Sequence, residues 1–201
     1  MSAARRVARL TVTLEDVEPA VLRRLDVPLG LRLDRLHLVL QAAMGWTDSH
    51  LYAFSAGGAE WGVPDPEFRD GARSAAEATL RDVIEGMGAK TIRYLYDFGD
   101  GWDHAIRIER VADPEPGRRY PRLLALQGRC PPEDVGGPPG YAAFLMALAD
   151  PAHEDHEHLR DWAGGAFDPD APDLEAITAE LGALARKWAP RPRKAKAAPR
   201  S

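Results

Sequence analysis

Asp97, Asp100, Asp103 and His104 crowd into the stretch Tyr94-Leu95-Tyr96-Asp97-Phe98-Gly99-Asp100-Gly101-Trp102-Asp103-His104. Carboxylates and imidazole are the donors that suit Mg²⁺, Mn²⁺ or Zn²⁺. An ion held there can activate water for hydrolysis. A second polar segment follows in Cys130-Pro131-Pro132-Glu133-Asp134, and His50 stands upstream. The candidate site is therefore a polar cleft joining His50, Asp97, Asp100, Asp103, His104, Glu133 and Asp134. Its expected metal donors are Asp97, Asp103 and His104. The competing reading is structural. Aspartates form turns, and Glu133 and Asp134 can cap backbone amides. His104 can be a core histidine bonded to Tyr96 or a backbone carbonyl.

Three further groups could do chemistry. Cys130 precedes Pro131, and a thiol near a helix start is nucleophilic; a small buried hydrophobe is the plainer role. His153, His156 and His158 could take a metal adventitiously, although acids at a helix N-terminus are already explained by its dipole. Trp46, Trp61 and Trp102 lie near turns and mark either a partner groove or core.

The elements that must position these residues can be read from periodicity. Leu10, Val12 and Leu14 alternate with Arg9, Thr11 and Thr13, as in a half-buried strand. Val21, Arg23, Leu25 and Val27 alternate again, so a hairpin is expected. Asp34 is placed as the cap of a helix with the stripe Leu36, Val39, Leu40, Ala43 and Met44, ended by Gly45. A short strand is expected over 50–54, and a long loop over 57–78. Thr79 and Asp82 resemble a capping box before Leu80, Val83, Ile84 and Met87. The acidic hairpin spans 91–111, and one more strand covers 122–126. Helices follow. Tyr141, Phe144, Leu145 and Leu148 share one face, 153–162 forms a second helix closed by Gly164-Gly165, and Asp173 caps a third with Leu174, Ile177, Leu181, Leu184 and Trp188.

The hairpin register decides which side chains meet. A Gly99-Asp100-Gly101 loop pairs Phe98 with Trp102, Tyr96 with His104, Tyr94 with Ile106 and Ile92 with Ile108. Every pair then agrees in polarity. It places His104 on the aromatic face and sets Asp97 opposite Asp103 on the other. Opposed like charges are unfavourable, so Arg93, Arg107, a cation or solvation should offset them.

Composition bounds the rest. At 201 residues and 45% hydrophobic content the chain suits a single domain, 1–190, with a sheet part at about 6–127 and a helical part at about 141–190. The expected fold is α+β: a mixed or mainly antiparallel sheet of about five strands packed against helices, with a C-terminal helical part. One cysteine excludes an intrachain disulfide and a four-cysteine zinc site. No run reaches membrane-span length and residues 1–9 lack a signal-peptide core, so a cytoplasmic protein is expected. The net charge of −5 includes five basic residues and no acid in 191–201, so the remainder carries −10. An acidic body is a poor footprint for nucleic acid. The basic tail is expected to be disordered, with weak nonspecific nucleic-acid attraction at most.

The motifs together resemble the Ri-plasmid ORF-3-like family. The resemblance rests on Gly45-Trp46, His50-Leu51 and Phe54, on Tyr96-Asp97-Phe98-Gly99-Asp100 with Trp102 and His104, on Cys130-Pro131-Pro132-Glu133-Asp134 with Gly136-Gly137 and Gly140-Tyr141, and on Phe167-Asp168-Pro169. It covers roughly 6–188. Trp46, Tyr96, Phe98, Gly99, Trp102, Pro131, Pro132, Gly136, Gly137 and Tyr141 form its structural signature. The family implies a compact α+β domain, and its members are found on plasmids and as passengers of insertion elements. Many relatives carry a second cysteine where this chain has Val135, so a two-cysteine clip is absent here. The leading expectation is a binding or interaction module for a protein or small ligand. The alternatives are a metal-dependent hydrolase using the hairpin aspartates and His104, with a divalent metal as cofactor, and a nucleic-acid-associated accessory protein of mobile elements.

Overall fold

The computed structural model of the chain describes residues 6–64 and 71–189. The tail at 191–201 lies outside them. The strands are β1 (Val7–Leu14), β2 (Val21–Pro28), β3 (Tyr52–Ala56), β4 (Ala59–Gly62), β5 (Arg73–Ser74), β6 (Thr91–Tyr96), β7 (Trp102–Ala112) and β8 (Arg122–Gln127). They form one sheet in the order β5-β4-β3-β6-β7-β1-β2-β8. Neighbours are antiparallel except β4 and β5. The helices are α1 (Leu33–Met44), α2 (Gly137–Ala149), α3 (His156–Trp162) and α4 (Leu174–Lys187), with a short π-helical turn at Asp82–Gly86.

The α+β class holds, but the sheet has eight strands, not about five. Two of the eight have no counterpart among the expected strand segments. The stretch 57–78 was expected as loop, yet it holds β4 and the two-residue β5. Both are too short for alternation to show, and each is specified by its pairing.

Alternation does explain the central strands. Ala8, Leu10, Val12 and Leu14 of β1 are buried on one face, and α1 covers that face with Leu33, Leu36, Val39, Leu40, Ala43 and Met44. Each leucine, valine or methionine among them contributes about 1.5–3 kcal/mol on burial. The other face carries ion pairs: Arg9 holds Asp26 at 2.8 and 2.9 Å, and Arg24 holds Glu109. Gly45 ends α1 in the left-handed conformation, φ 88°. Asp34 is not the cap. Arg32 occupies that position, and Asp34 sits in the first turn, paired to Arg32. The Thr79–Asp82 box forms, with Thr79 N and Oγ1 both donating to Asp82. Asp173 caps α4 by accepting from Ala176 N at 2.9 Å. Leu174, expected in the α4 stripe, is instead 54% exposed.

The acidic hairpin is longer in its turn than expected. Tyr96 pairs with Trp102, Tyr94 with His104 and Ile92 with Ile106. The loop is therefore Asp97–Gly101. The shift preserves which face each strand residue occupies, so Tyr94, Tyr96, Trp102 and His104 are all buried. It changes the partners: Asp103 lies opposite Leu95 instead of Asp97, and Phe98 is 55% exposed at the tip. The reason is Asp97, whose positive φ of 56° leaves the strand path before Phe98 can pair.

Arg23 is the one charged side chain on the buried face of β2. It is fully buried and binds no carboxylate. Its Nε donates to Ala43 O at 2.7 Å, and its Nη1 donates to Leu22 O and Gln127 O at 2.8 Å each. It thus satisfies an orphan carbonyl at the end of α1 and ties β2 to β8.

Candidate functional site

The polar site is assembled by three segments that meet beyond the hairpin. The first is the link from α1 to β3. Trp46 stacks on Tyr96 with centroids 5.0 Å apart and donates Nε1 to Pro131 O at 2.9 Å. Asp48 N donates to Gln41 Oε1 at 2.9 Å, and Ser49 N donates to the Tyr96 hydroxyl at 3.1 Å. These bonds leave His50 aimed at the hairpin tip.

The second segment is the tip. Asp97 N donates to Leu51 O at 2.9 Å. Asp97 Oδ1 accepts from Gly99 N at 2.9 Å and Asp100 N at 3.4 Å. That orients Oδ2 toward His50 Nδ1, 3.6 Å away. The third is the loop before α2. Gly136 N donates to Asp100 Oδ2 at 3.1 Å. A Cβ on Gly137 would stand 2.2 Å from Asp100 O, so only glycine allows the loop to press this close. Glu133 accepts from the Tyr96 hydroxyl at 2.5 Å, from Thr47 N at 3.1 Å and from the Thr47 hydroxyl. Asp134 is thereby delivered to the far side of His50, with Oδ1 3.1 Å from Nε2.

His50, Asp97 and Asp134 are the metal-donor group that the described residues bring together, with one ligand atom from each inside a 4.8 Å span. Asp97 is almost wholly enclosed, its side chain 10% exposed, while that of Asp134 is 72% exposed. His50 Nε2 is buried and makes no hydrogen bond, despite the nearby carboxylate. One nitrogen and two carboxylate oxygens suit a divalent cation and leave coordination positions open toward solvent.

The seven expected residues divide accordingly. His50, Asp97 and Asp134 converge. Asp100 and Glu133 fasten the loop to the tip. Asp103 turns to the exposed side and pairs with Arg93, which answers the charge that the register left to be offset. His104 is fully buried, its Nδ1 3.1 Å from Tyr94 O and 3.0 Å from Trp102 O. Burial pushes its pKa down to about 4. The expected donor set of Asp97, Asp103 and His104 is therefore corrected: these three do not face one another, because residues 103 and 104 point to opposite faces of β7.

A buried network behind the site escaped sequence reasoning. His37 Nε2 lies 2.5 Å from Asp48 Oδ1, and its Nδ1 lies 2.7 Å from the Tyr94 hydroxyl. Gln41 Nε2 donates to the same hydroxyl at 3.1 Å. The His37 ring stacks on Tyr52 at 3.7 Å. Desolvation lowers the His37 pKa despite Asp48, and raises that of Tyr94 well above its ordinary value. The available signal was His37 and Gln41, one turn apart within an otherwise apolar α1 stripe.

The lesser candidates resolve simply. Burial pushes the Cys130 thiol up to about 11, the opposite of an activated nucleophile. His156 binds Ala147 O at 2.9 Å and His153 accepts from Asp155 N, so neither belongs to a donor cluster. Trp46, Trp61 and Trp102 are buried. The exposed apolar side chains at the site are instead Leu51 and Phe98, each adjacent in sequence to a cluster donor. With Val63 they line a shallow hollow of about 220 Å³.

A family model described as plasmid pRiA4b ORF-3-like protein matches residues 6–176. The uncharacterised protein y4hQ of Sinorhizobium fredii (strain NBRC 101917 / NGR234) is 50% identical over 189 residues, covering 94% of this chain and 97% of its own. The crystal structure of MM3350, a protein of unknown function from Methanosarcina mazei Go1, is similar with a TM-score of 0.76 and 31% identity, over 83% of this chain and 94% of that one. No described helix is long and apolar enough to cross a membrane.

Proposed function

We propose, for a chain that belongs to the plasmid pRiA4b ORF-3-like family, a binding module that holds a divalent cation on His50, Asp97 and Asp134 and uses it to capture an anionic ligand. The observation that carries this reading is that one ligand atom from each of the three residues lies within 4.8 Å of the others, with His50 set between the two carboxylates. An anionic group completes the open coordination positions. Leu51 and Phe98 supply apolar contact beside it.

Binding is favoured over hydrolysis because the three expected carboxylates outside the cluster are already engaged. Glu133 is engaged by Tyr96 and Thr47, Asp100 by Gly136 N, and Asp103 by Arg93. Calorimetric titration of tag-free protein with Mn²⁺ and Zn²⁺ tests the proposal. One equivalent should bind, with affinity lost in Asp97→Ala and Asp134→Ala and retained in Asp103→Ala. Binding insensitive to Asp97→Ala would sink it.

A further inference from the structure

The last strand of the sheet lies at its far edge, four places from β6, the strand that leads to Asp97 of the cation cluster. Among the described residues β8 is an edge strand, paired with β2 alone. No other backbone hydrogen bond reaches residues 122–127 among the described residues. Beside this edge runs α4, and between them lies a groove of about 430 Å³. Its walls are apolar, with Leu124 and Leu126 on one side and Leu181 and Ala185 on the other, and with exposed Leu174 at its mouth. An unpaired edge next to an apolar trough is the geometry into which an extended peptide adds as a further strand.

Two features separate this groove from an incidental gap. The first is charge. Arg119, Arg122 and Arg186 line it and no acid does, in a chain whose residues before 191 carry −10. Arg122 is answered by Glu115 and Asp26. Arg119 and Arg186 have no ion pair among the described residues. The second is Gly182, a glycine in the middle of α4 and on the groove. A Cβ there would meet only the Arg186 Nη1 tip, at 3.2 Å. Internal packing therefore does not require this glycine, although it weakens the helix. Its missing side chain deepens the trough beside the strand edge.

We infer that β8 and α4 form a docking groove for an extended acidic peptide of a partner protein, about six residues long to match the strand. Other occupants fit the charge poorly. A second copy pairing edge to edge would bring the arginines against themselves. The segment 191–201 has five basic residues and no acid.

The test uses fluorescence anisotropy of the full chain with fluorescein-labelled Val-Glu-Val-Glu-Val-Glu. Saturable binding is expected, weaker by at least about tenfold for the lysine counterpart and for a version with proline at alternate positions, which keeps carboxylates but cannot pair. Gly182→Met should fill the trough and cost at least about tenfold while circular dichroism stays unchanged. Arg186→Glu should do the same for the glutamate peptide only. Equal binding of the proline peptide would reduce the interaction to charge attraction and overturn the inference. So would failure to saturate by ~1 mM, or a dimer in sedimentation velocity that the peptide does not dissociate.

Discussion

Replacing Gly137 with alanine should unfasten the cation cluster without touching any of its donors. Gly137 has φ +69°, and its Cβ would lie 2.2 Å from Asp100 O, a backbone atom that cannot swing aside. A left-handed non-glycine residue costs about 1–2 kcal/mol. The loop must also retreat by more than an ångström, which breaks the bond from Gly136 N to Asp100 Oδ2. A hydrogen bond to a charged group is worth about 1.5–3 kcal/mol. The combined loss is about 3–5 kcal/mol, or roughly 10 °C in Tm for a chain of this size. Asp134 lies three residues before Gly137, so the retreat also carries it away from His50 and Asp97. Cation affinity should fall at least tenfold, an effect of about 1.4 kcal/mol. Gly164→Ala is the control, since Gly164 has φ +78° with open space around its Cβ position. It should cost only the backbone share and leave cation affinity unchanged. Urea denaturation and calorimetry on both variants decide the matter. If the two lose equal stability, the close approach of loop and tip is refuted.

Other outcomes follow from the same contacts. His104 is buried neutral with its pKa near 4, below the unfolded value of about 6.5, so stability should be full above pH 6.5 and decline as pH falls toward 4, by about 3 kcal/mol. Urea midpoints at pH 7.5 and 5 should show the decline, and His104→Gln should flatten it. Arg23→Lys should cost about 2–4 kcal/mol, since one ammonium cannot serve Ala43 O, Leu22 O and Gln127 O together. Tyr96→Phe should cost about 1–3 kcal/mol and loosen Glu133, read as faster amide exchange at Ser49 and Thr47. Gly182→Ala should stabilise the chain by about 1 kcal/mol, because its Cβ meets only a flexible arginine tip.

The legible parts of this fold were those with a period. β1, β2 and α1 announced themselves by alternation or by an apolar stripe, and Asp173 and the Thr79–Asp82 box by cap chemistry. β4 and β5 did not, because four and two residues carry no period. The hairpin face of His104 was legible from alternation. The register was not, because a two-residue slide leaves polarity matched and only the positive φ of Asp97 selects between the options. The seven expected polar residues stood out in the sequence, but which of them meet did not. Asp103 and His104 looked like donors by proximity in sequence, and β geometry sends them to opposite faces. His50 joins Asp97 and Asp134 across long separations that no local pattern encodes. Arg23 was hidden in an apolar alternation, and its carbonyl partners come from α1, β2 and β8.

Under the proposal made above, His50, Asp97 and Asp134 hold one divalent cation. Crystals grown without metal and soaked in Mn²⁺ test it most directly through anomalous scattering at the manganese edge. One dominant peak is expected within about 2.0–2.3 Å of the His50 imidazole, Asp97 Oδ2 and an Asp134 oxygen. A fully occupied peak elsewhere, or none at saturating Mn²⁺, would contradict it.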